Sequence, residues 1–189
     1  MSAASPSGAM PDFSPRRATV RFMLSHPAHL IALGFGSGLP RRAPGTFGTL
    51  WAWAAYLVMQ LWLSDAAIGW VILASLPIGW WACTVTARHM NVADPSNVVW
   101  DEVVAFWIVL WIVMPAGLLM QLFAFALFRL FDAVKRGPVG WADALFKQKD
   151  ATPETMRWSI AGFGIIFDDL VAAFCTLLVI AAVSALRAW

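Results

Sequence analysis

Five carboxylates and one glycine-rich loop carry the chemistry open to this chain. Asp168 and Asp169 are adjacent and stand near the start of an apolar run that continues to residue 186. An ionised side chain inside a hydrocarbon layer costs at least about 2–3 kcal/mol. Two neighbouring carboxylates also repel each other unless a cation lies between or beside them. Either the pair caps a helix N-terminus at a membrane surface, where the helix dipole favours negative charge, or it holds a divalent cation. Hard oxygen ligands suit Mg2+. The other acids of interest are Asp101 and Glu102, also adjacent, and Asp132. Arg129 lies three residues before Asp132, on the same face of a helix, and can pair with it in a simple salt bridge or hold a phosphate beside it.

Residues 34–50 (GFGSGLPRRAPGTFGTL) run straight into an apolar segment. Gly45, Gly48 and the start of a helix would present unpaired N–H groups, Thr46 and Thr49 add hydroxyls, and Arg41 and Arg42 add charge. That set suits a phosphate. It is not a Walker A loop, because the Gly-Lys-Ser/Thr ending is missing. Glycine-rich loops also make plain turns, so this signal needs company.

Other phosphatase chemistries lack their residues. Cys83 is followed six residues on by His89 and Cys175 by Ala181, so no Cys/Arg nucleophile loop occurs. No Asp-x-Asp pair occurs either, and no Ser/His/Asp set is evident from spacing. His26, His29 and His89 lie outside the acidic segments and read as surface or interfacial histidines. Cys83 and Cys175 fall in apolar runs and read as small core residues, not as a disulfide or a zinc site. Metal-assisted attack by water is what remains.

The elements that must position these groups are helices in a membrane. Of 189 residues, 60% are hydrophobic and only 13% charged, against about a quarter charged in soluble domains. Residues 1–15 read as disordered, and no cleavable signal peptide is evident. Residues 16–33, with Arg16, Arg17 and Arg21 beside apolar side chains, suit a surface-lying segment that Pro27 interrupts. Apolar helices are expected over about 47–63 and 66–87, the second kinked by Pro77, followed by a polar loop over 88–100. The loop over 138–158 combines Trp141, Trp158 and several lysines, as an anionic interface favours, or as an ordinary solvated loop allows.

The apolar region over 103–131 is too long for one simple span and is broken by Met114-Pro115-Ala116-Gly117. Read as a single crossing, it sends basic loops to both faces. Read as a hairpin, it leaves all but Arg187 of the thirteen Lys and Arg on one face, as the positive-inside rule prefers. The hairpin is the better reading. Each arm then has about 14 residues, about 21 Å long and short of a core of about 30 Å. The last helix covers about 161–186. The expected fold is all-α: a polytopic membrane helical bundle with a broken or re-entrant helical hairpin at 101–134. Residues 1–30 form a flexible, interfacial N-terminal segment and 31–189 a membrane-embedded catalytic domain. Asp101, Glu102, Asp132, Asp168 and Asp169 then share the basic, cytoplasmic membrane edge.

Four motifs, at 34–50, 98–103 (VVWDEV), 128–135 (FRLFDAVK) and 162–172 (GFGIIFDDLVA), occur in an order that resembles the phosphatidylglycerophosphatase A family. The resemblance covers about residues 33–180. It implies a Mg2+-dependent enzyme of the bacterial inner membrane, multi-pass and facing the cytoplasm. Such an enzyme removes the terminal phosphate of phosphatidylglycerophosphate to give phosphatidylglycerol. The family's acidic positions carry over to Asp101, Glu102, Asp132, Asp168 and Asp169, and its Gly-Thr loop to Gly45, Thr46 and Gly48. Lys135-Arg136-Gly137-Pro138 departs from the Lys-Pro-x-Pro often found there, and Ala105 and Ala173 replace expected glycines. These departures touch loop shape and packing, not the carboxylates.

The expected function is therefore a lipid phosphate monoesterase. Asp132, Asp168, Asp169 and Glu102 are expected as Mg2+ ligands, with Asp101 and Glu102 as further ligands or as the base that orients water. Arg41, Arg42, Gly45, Thr46, Gly48, Thr49, Arg129 and Lys135 are expected to hold the substrate's phosphates. The partner is a phospholipid in the membrane, with no nucleic acid and no protein partner expected. The alternative is an ion or small-solute transporter, since a broken hairpin with intramembrane carboxylates is also a transport signature. A non-catalytic membrane scaffold is a weaker rival, because it needs no carboxylates gathered at one depth.

Overall fold

A computed structural model describes residues 17–134, 137–146 and 154–187 of the chain. The expectations for residues 1–15 and for Lys135 fall outside the described residues. Among those described, every regular element is helical: α1 Val20–Leu24, α2 Pro27–Ala32, a 3₁₀ turn Gly34–Gly36, α3 Pro44–Trp62, α4 Asp65–Met90, α5 Trp100–Val113, α6 Leu118–Val134, α7 Pro138–Leu145 and α8 Glu154–Arg187.

α5 is the hub. It packs on α3, α4, α6 and α8. Its sequence is apolar almost all round, as a central helix requires, and Val103 to Trp107, Val109 and Leu110 are buried. Its first turn carries Asp101 and Glu102, so the helix with the most neighbours also delivers two of the acids. Tryptophans fix its height. Trp100 Nε1 donates to the Ser75 carbonyl at 3.2 Å, Trp107 Nε1 to the Ala52 carbonyl at 2.9 Å, and Trp111 Nε1 to the Asp65 carbonyl at 2.9 Å. Each indole N–H, buried at Trp100 and Trp107 and exposed at Trp111, finds a partner on a neighbouring element, so the rings act as spacers of set length.

α4 and α8 are both long and apolar enough to cross a membrane. They pack closely where Gly162 of α8 lies on Thr84 of α4. A Cβ at Gly162 would come within 2.8 Å of the Thr84 backbone nitrogen, so the contact requires glycine. α4 runs as one helix with Pro77 inside it. The 103–131 region does break: α5 ends at Val113, α6 begins at Leu118, and Gln121 Nε2 bonds back to the Ala116 carbonyl at 2.7 Å. Large apolar side chains stand outward along these helices, among them Leu61, Trp62, Trp70, Leu119, Phe174 and Leu178. An apolar skin of that extent suits lipid.

α8 differs most from expectation. It begins at Glu154 rather than near residue 161, and it packs against α7. Asp168 and Asp169 therefore lie fourteen and fifteen residues after Glu154, in mid-helix. The reading in which they cap a helix N-terminus is lost, since the dipole's effect is confined to the first turn.

Candidate active site

Four helices bring their polar residues to one spot. α5 contributes Asp101 and Glu102 from its first turn, whose N-cap, Val99, offers no capping side chain. The uncapped N–H groups and the dipole there favour the two negative charges. The Val99 N–H donates to the Ala32 carbonyl at 2.9 Å, which fixes where α5 starts. α8 contributes Asp169 and Asp168, only 2% and 4% exposed. α6 contributes Asp132 from its inward stripe of Gln121, Ala124 and Phe128, with Arg129 one turn before it.

Asp101, Glu102 and Asp169 each offer a carboxylate oxygen, and these three atoms all lie within 4.8 Å of one another. Two like charges at that distance repel by about 3 kcal/mol at an effective dielectric of 20, and three such pairs act here. Arg129 offsets part of this. Its Nη1 is hydrogen-bonded to Asp132 Oδ2 and stands 3.6 Å from Glu102 Oε1. One guanidinium does not balance three gathered carboxylates with Asp132 and Asp168 close by. Asp101 Oδ1 and Glu102 Oε2 are buried and lack a hydrogen-bond partner. Orphaned acceptor oxygens in a negatively charged cluster are what a cation would satisfy. The oxygens lie near the range for one ion, since two oxygens on one Mg2+ ion at about 2.1 Å each stand at most about 4.2 Å apart.

The start of α3 completes the site. Gly45 is buried beneath Glu102 and Arg129. A Cβ there would collide with Glu102 Oε1 and come within 3.0 Å of both Arg129 terminal nitrogens. α3 opens with Pro44 at its first position and Ala43, in the left-handed region, at its N-cap without a capping side chain. Its positive end therefore faces the charged cluster uncapped.

The residues expected from sequence separate into three groups. Asp101, Glu102, Asp169, Asp132, Arg129 and Gly45 come together. Asp168 turns to an adjoining cavity of about 330 Å³, lined also by Asp94, Asp143 and Arg157. Arg41 lines a second cavity of about 610 Å³ with Arg17, Asp94 and Asn97, and Arg42 is exposed. Within the glycine loop, Thr46 is half-buried and Gly48 packs on Val99. The Thr49 hydroxyl donates to the Gly45 carbonyl at 2.8 Å, so it shapes the loop from inside the helix. Asp94, Asp143 and Arg157 escaped the sequence reading. They sit on three different elements with no shared motif, and only the fold joins them.

Residues 30–184 match the family model described as phosphatidylglycerophosphatase A. The chain is 36% identical over 164 residues to a phosphatidylglycerophosphatase A of Haemophilus influenzae, covering 86% of this chain and 92% of that relative. It is 34% identical over 157 residues to the Escherichia coli protein of the same name, covering 80% of each. A Bacteroides thetaiotaomicron relative is 33% identical over 158 residues, 80% of this chain and 90% of its own length. Its name, given provisionally, is phosphatidylinositol-3-phosphatase. No solved structure matches the chain.

Proposed function

The chain belongs to the phosphatidylglycerophosphatase A family, and from that premise we propose that it hydrolyses the terminal phosphate of phosphatidylglycerophosphate, leaving phosphatidylglycerol. The observation that carries the mechanism is the meeting of three carboxylates, one arginine and an uncapped helix start. Asp101, Glu102 and Asp169 would hold Mg2+, with Asp132 and Asp168 beside them as further ligands or in support. Bound there, the ion would neutralise phosphate charge and make water easier to ionise.

The chain's own groups account for the rest. The Arg129 guanidinium and the N–H groups at the start of α3, beside Gly45 and Thr46, present positive charge to the phosphate oxygens and favour the charge that builds on them in the transition state. A carboxylate of the Asp101–Glu102 pair orients the attacking water and accepts its proton. Water oxygen bonds to phosphorus, the bond from phosphorus to the lipid glycerol oxygen breaks, and the proton ends on that leaving oxygen. Arg41, Arg42 and Lys135 draw the anionic headgroup toward the site. Gly48 and Thr49 keep the loop close to α5.

The proposed setting is the bacterial inner membrane, with α3, α4, the α5–α6 hairpin and α8 embedded and the carboxylates at the cytoplasmic edge. The hairpin is broken and re-entrant, since its arms are too short to span about 30 Å upright. Residues 1–30 form the interfacial segment and 31–189 the catalytic domain. Transport finds no support, since the relatives are named as phosphatases and the carboxylates gather in one cluster.

Phosphate release from phosphatidylglycerophosphate by purified protein in lipid, with Mg2+ and with EDTA, tests the proposal. Release in Mg2+, loss to background in EDTA and recovery on adding Mg2+ back are expected. Release that persists in EDTA would remove the metal from the mechanism. No release from folded protein would overturn the substrate, with phosphatidylinositol 3-phosphate as the next to try.

A further inference from the structure

Two cavities adjoin the carboxylate cluster, and charge sorts them. The cavity of about 330 Å³ sets Asp94, Asp143 and Asp168 against Arg157. The cavity of about 610 Å³ sets Arg17 and Arg41 against Asp94 alone. The first repels an anion and the second favours one. Among the described residues neither Arg17 nor Arg41 has an ion-pair partner, so both guanidinium groups keep their N–H donors for a ligand.

The walls of the larger cavity are fixed by local structure. The Thr19 hydroxyl oxygen accepts the Phe22 N–H at 3.1 Å and starts α1 just after Arg17. Asn97 Nδ2 donates to the Gly38 carbonyl at 2.6 Å, which ties the glycine loop to the segment after α4. A Cβ at Gly38 would collide with the Asn97 carbonyl, so the close approach needs glycine. Asn91, in the left-handed region, ends α4 and turns the chain toward Asp94. α1 continues from the Arg17 wall and exposes Val20 and Leu24 beside Arg21. Apolar and basic side chains mixed in this way suit a lipid surface.

The cavity also has the right neighbour. Pro44 lines it, and Gly45, the next residue, lies against Glu102 and Arg129. Consecutive Cα atoms stand about 3.8 Å apart, so one residue step separates the cavity wall from the cluster. Phosphatidylglycerophosphate carries two phosphates, the terminal monoester that is cleaved and the diester that joins the headgroup to the lipid. A path of about six bonds connects their phosphorus atoms, as many as in two residues of backbone, which reach about 7 Å when extended. A terminal phosphate at the cluster therefore has its diester within reach of Arg17 and Arg41.

Resting on the function proposed above, we propose that Arg17 and Arg41 hold the substrate's diester phosphate and so select lipids with two phosphates over lipids with one. Each guanidinium can offer a phosphate two parallel N–H donors. The interfacial segment before α1 then takes part in choosing the substrate.

The two products are the probes, because each keeps one phosphate: phosphatidylglycerol the diester, inorganic phosphate the former monoester. Turnover of phosphatidylglycerophosphate by the full chain is measured in mixed micelles of a neutral detergent. Arg17→Ala and Arg41→Ala are each expected to raise KM about tenfold with kcat within twofold. Both side chains are exposed, so truncation leaves the core intact. Inhibition by phosphatidylglycerol should weaken by a similar factor, and inhibition by inorganic phosphate should hold. Arg21→Ala removes the same charge from α1 outside the cavity lining and should change none of these. The proposal is overturned if KM is unchanged in both cavity variants, or if the two products lose inhibition alike. It is overturned too if Arg21→Ala has the same effect, which would reduce the arginines to a general attraction for an anionic surface. No phosphate release by the unaltered chain would instead overturn the function proposed above, and this inference with it.

Discussion

Asp169→Asn is expected to lower phosphate release by about three orders of magnitude, or about 4 kcal/mol of transition-state stabilisation, while the protein stays folded in the membrane. Asn keeps the shape of Asp and removes its charge. Asp169 is 2% exposed and, among the described residues, one of three whose oxygens converge within 4.8 Å. Removing its charge relieves repulsion with Asp101 and Glu102, so folding is not expected to suffer, and the melting temperature should hold or rise. The proposed cation site, by contrast, loses one of its three gathered charges. Phosphate release and melting temperature measured on the same preparation separate the two effects. Activity within tenfold of the unaltered chain would remove Asp169 from the site.

Gly45→Ala is the smallest change with the next largest effect. One methyl group at this position meets the Glu102 carboxylate and the Arg129 guanidinium together. Neither can move away cheaply, because Glu102 is buried in the first turn of α5 and Arg129 is tied to Asp132. Overpacking of this kind costs about 1–3 kcal/mol in stability. The catalytic cost should be larger, about 100-fold in kcat, since the methyl also separates the start of α3 from the groups it acts with. Gly48→Ala is the control: the nearest atoms to its methyl are those of the Val99 side chain, so it should lower stability and spare most activity. Equal loss of activity in the two variants would reduce Gly45 to a packing residue.

The sequence held the inventory of the site more fully than its geometry. The acids and Arg129 were visible because charge is rare in this chain and each charged group interrupts an apolar run. The α5–α6 break was visible because Pro115 and Gly117 announce it. The true start of α8 was hidden, since Glu154, Arg157 and Ser159 make its first turns look like a loop. That error misread Asp168 and Asp169 as opening a helix. The division of labour among the acids was hidden as well. Adjacent residues on a helix point about 100° apart, so Asp169 faces Asp101 and Glu102 while Asp168 faces the cavity beside Arg157. The contact between His29 and His89 joins residues 60 positions apart in the chain, a distance over which no local pattern speaks.

The short hairpin also gives the molecule an uneven girth. α5 ends twelve residues beyond Asp101, about 18 Å at 1.5 Å per residue, whereas α8 continues eighteen residues beyond Asp169 to Arg187. In the proposed orientation five helices crowd the leaflet that holds the substrate, and fewer reach through the opposite one. The protein is then a wedge, and lipids of the far leaflet must tilt or stretch to fill the space under the turn at Gly117. Turnover should therefore respond to the thickness of the host bilayer, which vesicles of graded acyl length would reveal as a maximum at one length; a flat response would mean a cylinder. In that orientation such a shape would make the enzyme a reader of the bilayer whose headgroup composition it helps to set.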